Sequence, residues 1–369
     1  MSKLCLIYNF AQRYREAIFK AIDAEWDCEW YFGRNTTDIK GMDISQLKDA
    51  HEVDNKHVGH SPYFYQTGTL GLSRRRDIST YFVLGDPHCL SIWLLAAYTK
   101  LFARKKRIYY WTHGWYGKES KVTAWIKKRF FKLADGIFLY GNYARDLMIN
   151  EGFDARRLFT IHNSLHYARQ LELRKSLTPS DLYQKYFGNT NPNIIFIGRL
   201  TKVKKLDMLL EAVARLKSEG TDFNITFVGD GQETENLKAK ARELGISENI
   251  WYYGACYDEE TNAKMIYNAD LCVAPGNVGL TAMHSMVFGT PVISHNDFKW
   301  QMPEFEAIHP GETGDFFEAN SVESLSTTIR KWFKSHTDRD AVRTACYKDI
   351  DENWTPEFQM EVLRKHLKV

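Results

Sequence analysis

Twice along its length the chain alternates short apolar runs with longer stretches whose apolar residues recur at helical spacing. This pattern constrains the fold more than any composition figure. In the first array, "KLCLIY", "CEWYF", "TYFVLG", "KRIYYWTHG", "GIFLYG" and "RLFTIHNS" read as strands. "QRYREAIFKAI", "DPHCLSIWLLAAYTKLF", "ESKVTAWIKKRFFKLA" and "NYARDLMINEG" read as helices, the first with Tyr14, Ala17, Ile18 and Ile22 on one stripe. Residues 33–75 are polar and irregular. Turn formers in "LRKSLTPS" and "FGNTNPN" break the rhythm, and from Asn193 it restarts with "NIIFIG", "NITFVGDG", "NIWYYG" and "DLCVAPG" as strands. Two successive arrays of this kind predict an α/β chain with two Rossmann-like, doubly wound parallel sheets. Ligands in such sheets bind at the carboxyl ends of the strands, where strand order reverses, and two such domains make a cleft between them.

A chain of 369 residues can bury two ordinary cores. No run of about 18 apolar residues is present, which excludes a transmembrane helix. The opening "MSKLCLIYNF" enters a strand directly and lacks a signal-peptide pattern. Six scattered cysteines without a C-x-x-C pair read as reduced core thiols in a cytoplasmic protein, and no zinc-ligand spacing occurs. Net charge is +3, yet from Tyr98 to Lys132 eleven Lys or Arg face one acid, Glu119, so that segment is +10 and the remainder −7. Trp111, Trp115, Tyr116 and Trp125 are interleaved with these cations, a pattern that predicts an anionic partner.

The strand-end loops of the second array carry the chemistry. In "GRLTKVKKLD", Gly198 permits a tight turn, and Arg199 and Lys204 precede a helix start, a good diphosphate site. "VGDG" supplies another turn at Gly229. "YYGACYDEE" places Gly254 and Cys256 at a third strand end. "APGNVGLTAMHSMVFGTPVIS" reads as strand end, Gly loop, helix, turn and strand. Its loop offers Asn277 and the amides of Gly279, Leu280 and Thr281, with His284 one turn inside the helix.

From about Asn193 to Trp332 these motifs, in this order and spacing, resemble the donor half of the family 4 glycosyltransferases. The resemblance implies the GT-B fold, two Rossmann-like domains facing a central cleft. It implies a hexosyltransferase that takes a nucleoside-diphosphate sugar as co-substrate, without cofactor or metal, and transfers with retention. Arg199 and Lys204 would clamp the diphosphate and stabilise the leaving group. The chain departs from the family at Lys205, where glycine is usual. It departs further where the family has two glutamates eight residues apart: here they fall on Gly276 and His284. His284 would then meet a ribose hydroxyl and Asn277 a sugar hydroxyl, with Glu304 or Glu306 of "MPEFE" replacing a missing carboxylate. The missing pair also motivates the alternative of a catalytically inactive, glycosyltransferase-like binding or regulatory protein.

The resemblance is looser in the first half. Arg13, Tyr14 and Arg15 follow the first strand, where Arg13 and Arg15 can meet an acceptor phosphate. The family often has a histidine at a strand end near the donor sugar, which favours His113, with Gly117 and Lys118 at the next helix start facing phosphate. The expected catalytic residues are thus His113, Arg199 and Lys204. Donor binding falls to Gly198, Gly229, Cys256, Asn277, Gly279, Leu280, Thr281, His284 and Glu304, and acceptor binding to Arg13, Tyr14, His113 and Lys118. The expected organisation is an acceptor domain over 1–170, a linker over 171–192, a donor domain over 193–348 and a final helix over 349–369 crossing back to the first domain. The expected acceptor is a glycan or polyprenyl-diphosphate-linked glycan in bacterial surface polysaccharide synthesis. The basic, aromatic helix after Glu119 would rest on an anionic membrane surface, and no specific nucleic acid is expected.

Overall fold

The computed structural model describes residues 3–36 and 40–369. The chain begins with β1 (Lys3–Tyr8), α1 (Glu16–Glu25), β2 (Cys28–Gly33) and β3 (Ala50–Val53). A small antiparallel hairpin, β4 (Asn55–His57) and β5 (Phe64–Gln66), lies within the stretch that reads as irregular. Then come β6 (Ile78–Leu84), α2 (Leu90–Phe102), β7 (Arg107–Thr112), α3 (Lys121–Phe131), β8 (Gly136–Leu139), α4 (Asn142–Asn150) and β9 (Leu158–Thr160). Seven of these strands form a parallel sheet in the order β3-β2-β1-β6-β7-β8-β9.

The second half continues with α5 (Tyr167–Ser176), α6 (Leu182–Phe187), β10 (Asn193–Ile197), α7 (Leu206–Ser218), β11 (Asn224–Val228), α8 (Thr234–Glu243), β12 (Ile250–Gly254) and α9 (Glu259–Asn268). It ends with β13 (Leu271–Ala274), α10 (Thr281–Met286), β14 (Val292–His295), β15 (Gly314–Phe317), α11 (Val322–Ser335), α12 (Arg339–Asn353) and α13 (Pro356–His366). Its six strands run parallel in the order β12-β11-β10-β13-β14-β15.

Strands covered on both faces are apolar at most positions, which is why they read as near-continuous runs. In β1, Leu4, Leu6 and Tyr8 enter one core while Cys5 and Ile7 enter the core on the opposite face. β7 divides the same way, Tyr109 and Trp111 against Ile108 and Tyr110. All six cysteines are free thiols, and all but Cys256 are buried.

Two compact units result, Met1–His166 with Thr355–Val369, and Tyr167–Trp354. The stretch that reads as a linker, 171–192, is instead mostly helical and belongs to the second unit through α5 and α6. Its turn formers mark helix ends: Ser176 closes α5, and Gly188, with φ of 68°, closes α6. α13 packs with α1 in the first unit, burying Met360, Leu363 and Leu367 in its core. Gln359 ties it to the chain at 162–164, donating to the His162 carbonyl at 2.8 Å and accepting from Ser164 Oγ at 2.6 Å. Leu363 has no exposed surface, so Leu363→Ala should destabilise the first unit by about 2–5 kcal/mol. Urea unfolding followed by near-ultraviolet circular dichroism would read this as an earlier first transition.

Candidate active site

In both sheets the strand order reverses beside the first strand of the unit, between β10 and β13 in one and between β1 and β6 in the other. The loops at those carboxyl ends are where an open α/β sheet binds ligands. In the second unit they carry most of the residues expected to bind the donor.

Three strand ends meet there through their backbones. Gly198, Gly229 and Gly254 follow or end β10, β11 and β12, with φ of 143°, 150° and 88°. The Gly198 amide donates to Val228 and the Gly229 amide to Gly254. A Cβ on Gly229 would stand 1.8 Å from the Gly198 carbonyl oxygen. Gly229 is therefore required by close backbone packing, which a turn reading alone does not explain.

Beyond Gly198 the chain makes a short 3-10 turn, Lys202–Lys204, and enters α7 through Lys205 at φ 49°, ψ 41°. That left-handed geometry accounts for a glycine preference at this position; lysine adopts it at a cost of about 1 kcal/mol. The turn brings Lys204 against the loop after β13. Its Nζ donates to the Asn277 carbonyl and to Asn277 Oδ1, each at 2.8 Å, and the Gly276 amide donates back to the Lys204 carbonyl at 2.9 Å. Burial lowers the Lys204 pKa to about 8; Glu304 opposes that shift, and the nearby Arg199 cation adds to it. Arg199 is exposed while Lys204 is half-buried.

The loop after β13 is held from both sides. Thr281 Oγ1 donates to the Ile197 carbonyl at 2.9 Å, so this hydroxyl is engaged with β10. Gln301, which the sequence reading passed over, accepts from the Val278 amide at 2.8 Å and donates to Ser294 Oγ and the His295 carbonyl. Gly279 adopts φ of 53°, and His284, in the last turn of the short helix α10, is partly buried. Glu304, 2% exposed, lies in a 3-10 turn, Pro303–Ala307, that packs against α10. Cys256 stands apart in the loop after β12, its Sγ 3.6 Å from the Asp258 carbonyl oxygen. The structure thus gathers Arg199, Lys204, Asn277, Gly279, Thr281 and Glu304.

In the first unit a cavity of about 490 Å³ opens at the switch point. The loop after β1, the segment 84–88 and the residues following β7 line it. His113 lies on its wall, its ring 4.6 Å from that of Tyr140. Burial, with Arg15 and Lys127 nearby, lowers its pKa to about 3, so its imidazole is neutral at pH 7. Tyr14 and His88 also line the cavity, and His88 Nδ1 is 2.9 Å from Asp86.

Two expectations change here. Gly117 and Lys118 were expected to face phosphate, but Glu119 fills that position. Its carboxylate accepts from the amides of Tyr116, Gly117 and Lys118 at 2.9, 2.9 and 3.1 Å and from Lys127 Nζ at 2.6 Å. Glu119 therefore precedes α3, which Ser120 caps by accepting from the Thr123 amide. Arg13 is exposed, and Arg15 is the buried member of the pair. The stripe of α1 accordingly runs through Arg15, Ile18, Phe19 and Ile22, where helical spacing from Ile22 would have placed it. The Arg15 guanidinium carbon lies 4.9 Å from the Trp111 ring centre and 4.8 Å from that of Tyr140. Its Nη2 donates to the Tyr140 hydroxyl. Among the described residues it has no carboxylate partner; the hydroxyls of Tyr140, Tyr14 and Tyr8 surround it, and its Nε and Nη1 have no acceptor in hydrogen-bond geometry. Each such buried donor costs about 1–3 kcal/mol.

Glu29, Asp49 and His51 bring ligand atoms within 4.8 Å of one another at the edge of the first sheet. Lys3 and Arg75 already pair with this cluster, so it is no evident metal site.

Gly276 carries a second backbone constraint at this site. A Cβ there would stand 1.9 Å from the Val203 carbonyl oxygen, so no side chain fits without moving the turn that holds Lys204. Gly276→Ala should cost more than about 3 kcal/mol in the stability of the second unit, because the obstacle is backbone. Differential scanning calorimetry would show this as a lowered transition.

Residues 183–349 match the family described as "Glycosyl transferases group 1". An uncharacterised 41.2 kDa protein in the cps region of Klebsiella pneumoniae is 27% identical over 312 residues, 81% of this chain and 77% of that one. Among solved structures, the apo form of the lipopolysaccharide outer core galactosyltransferase WaaB superposes with a TM-score of 0.72 at 16% identity, over 99% of this chain and 100% of that one. Anabaena HepE in complex with UDP superposes with a TM-score of 0.73 at 13% identity, over 99% of each chain. Two Rossmann-like domains with parallel sheets are shared with these GT-B proteins, and residues 183–349 carry a domain of the glycosyl transferases group 1 family.

Proposed function

We propose that the chain is a glycosyltransferase whose second unit binds a nucleoside-diphosphate sugar and whose first unit binds the acceptor. The observation that carries this reading is the pairing of Arg199 and Lys204 beside the loop of Asn277 and Gly279, at the switch point of the second sheet. Diphosphate oxygens would accept from both cations, which would stabilise charge on the departing nucleoside diphosphate. With that charge supplied by the protein, this route needs no metal. Asn277 and His284 would meet sugar and ribose hydroxyls without charge, and Glu304 would supply the carboxylate that Gly276 cannot bear. His113, neutral at pH 7, would act as a hydrogen-bonding group for the acceptor in the first unit's cavity. Complexes of HepE with UDP, with UDP and glucose, and with UDP-glucose support a nucleotide-sugar donor. The relative from a cps region supports surface polysaccharide synthesis. On this reading the acceptor is a glycan or lipid-linked glycan hydroxyl, and transfer proceeds with retention.

A thermal-shift panel with UDP, GDP, ADP, CMP and their sugar conjugates tests the donor site. One base should give a selective shift, and Arg199→Ala should weaken that nucleotide about ten- to a hundredfold. Affinity should hold below about pH 8 and fall above it as Lys204 loses its proton and with it a charge on the diphosphate. Absence of a shift with any nucleotide would overturn the reading. A shift without donor hydrolysis or transfer would favour an inactive sugar-nucleotide-binding protein.

We further propose that the first unit rests on an anionic membrane at the cytoplasmic face. Among the described residues no helix is long and apolar enough to cross a membrane. α2 exposes Leu94, Leu101 and Phe102 at 58%, 62% and 75%, and these line one groove with Leu70, Arg74 and Tyr98. α3 exposes Val122 and Trp125, and Arg129 lies over the Trp125 ring. Apolar side chains among Lys100, Arg104 and Lys105 suit an interface of acyl chains and anionic headgroups. Sedimentation with phosphatidylglycerol vesicles should retain the protein at low salt and lose it with added salt. Leu101→Ser with Phe102→Ser should abolish retention without changing nucleotide binding, and equal binding to neutral vesicles would contradict the electrostatic part.

A further inference from the structure

We propose that the cavity of the first unit recognises an anionic group of the acceptor, a carboxylate or a phosphate, through Arg15. This rests on the reading of the first unit as the acceptor side. Arg15 is 4% exposed and lines the cavity, yet nothing of opposite charge meets it among the described residues. A buried guanidinium without an anion is costly, and buried donors without acceptors are rare enough to require a reason. Aromatic rings fix its position. Trp111 and Tyr140 lie within 5 Å of the guanidinium carbon, Tyr14 is at 5.4 Å, and the Tyr140 hydroxyl takes Nη2. The contacts leave Nε and Nη1 as donors. A preorganised guanidinium of this kind suits a carboxylate or phosphate better than a neutral hydroxyl.

The surroundings favour the same ligand. Lys127 also lines the cavity, and His113, whose buried Nδ1 has no partner among the described residues, is held neutral partly by these two cations. The acid on the wall, Asp86, is engaged by His88. Glu119 is bound by Lys127 and three amides, which removes it as a partner for Arg15. At about 490 Å³ the space lies within the range of ordinary ligand pockets. It also lies at the carboxyl ends of β1 and β6, where the first sheet reverses order.

The test is calorimetric titration of the full chain with three probes: methyl α-D-glucuronide, glucose 1-phosphate and neutral methyl α-D-glucoside. At least one anionic probe should bind, and the neutral one should not. Glucuronide binding assigns a carboxylate-bearing sugar, and glucose 1-phosphate binding assigns a phosphate. Arg15→Met should weaken the bound anion about tenfold or more, and Arg15→Lys should recover part of the loss. In the wild type the bound anion should raise the His113 pKa by about one unit, read by NMR of the labelled imidazole, because it offsets the field of Arg15 and Lys127. A packing role for Arg15 would leave both readouts unmoved. Binding of no anionic probe, or equal binding by Arg15→Met, would overturn the proposal. Loss of nucleotide binding with anion binding intact would fault the transferase reading alone.

Discussion

A carbonyl oxygen occupies the space where residue 276 would carry its Cβ, and the geometry of the second unit's strand-end loops depends on that contact. The turn at 202–204 and the loop after β13 approach backbone to backbone, joined by the bond from the Gly276 amide to the Lys204 carbonyl. The approach delivers the Lys204 ammonium to Asn277 and leaves it short of water, which lowers its pKa. It also forces Lys205 into a left-handed conformation at the start of α7. A glutamate at position 276 is incompatible with this packing. Its absence is thus part of how the loop is built, and Glu304 approaches Lys204 from another segment.

The two units place cations at the same topological position by different means. In the second, Arg199 and Lys204 come from one loop, and Lys204 is bonded to neutral oxygens while Glu304 acts on it from further away. In the first, Arg15 comes from the start of α1 and is held by aromatic rings. Lys204 and Arg15 both lie at the carboxyl ends of parallel strands beside the strand that begins the sheet. A charge withdrawn from water at such a place interacts strongly with whatever anion reaches it. That shared physics underlies both proposals, a donor diphosphate at one unit and an anionic acceptor group at the other.

Much of the architecture was legible from periodicity. Strands buried on both faces leave continuous apolar runs, and both arrays appear as parallel sheets in the structure. Where the reading slipped, short-range signals had two meanings. Turn formers at 176–192 suggested a linker, yet they end α5 and α6. Glu119 stood out as the lone acid in a basic segment, and its task of capping three amides and holding Lys127 needed geometry to see. Arg15 and Arg13 looked alike because both are charges near a helix start. Counting back from Ile22 through Ile18 would have separated them.

The sequence by itself determined two βα arrays, the strand-end glycines, the basic pair Arg199 and Lys204, and the glycine and histidine at 276 and 284, because each is written in local order and spacing. Only the tertiary structure decided that Gly229 and Gly276 are glycines for backbone packing, that Gln301 braces the loop after β13, and that Arg15 lies buried with no carboxylate beside it among the described residues. Those facts depend on atoms from segments far apart in sequence meeting within a few ångströms. Local spacing cannot report such meetings, since the register of one loop against another is set by how whole strands and helices pack.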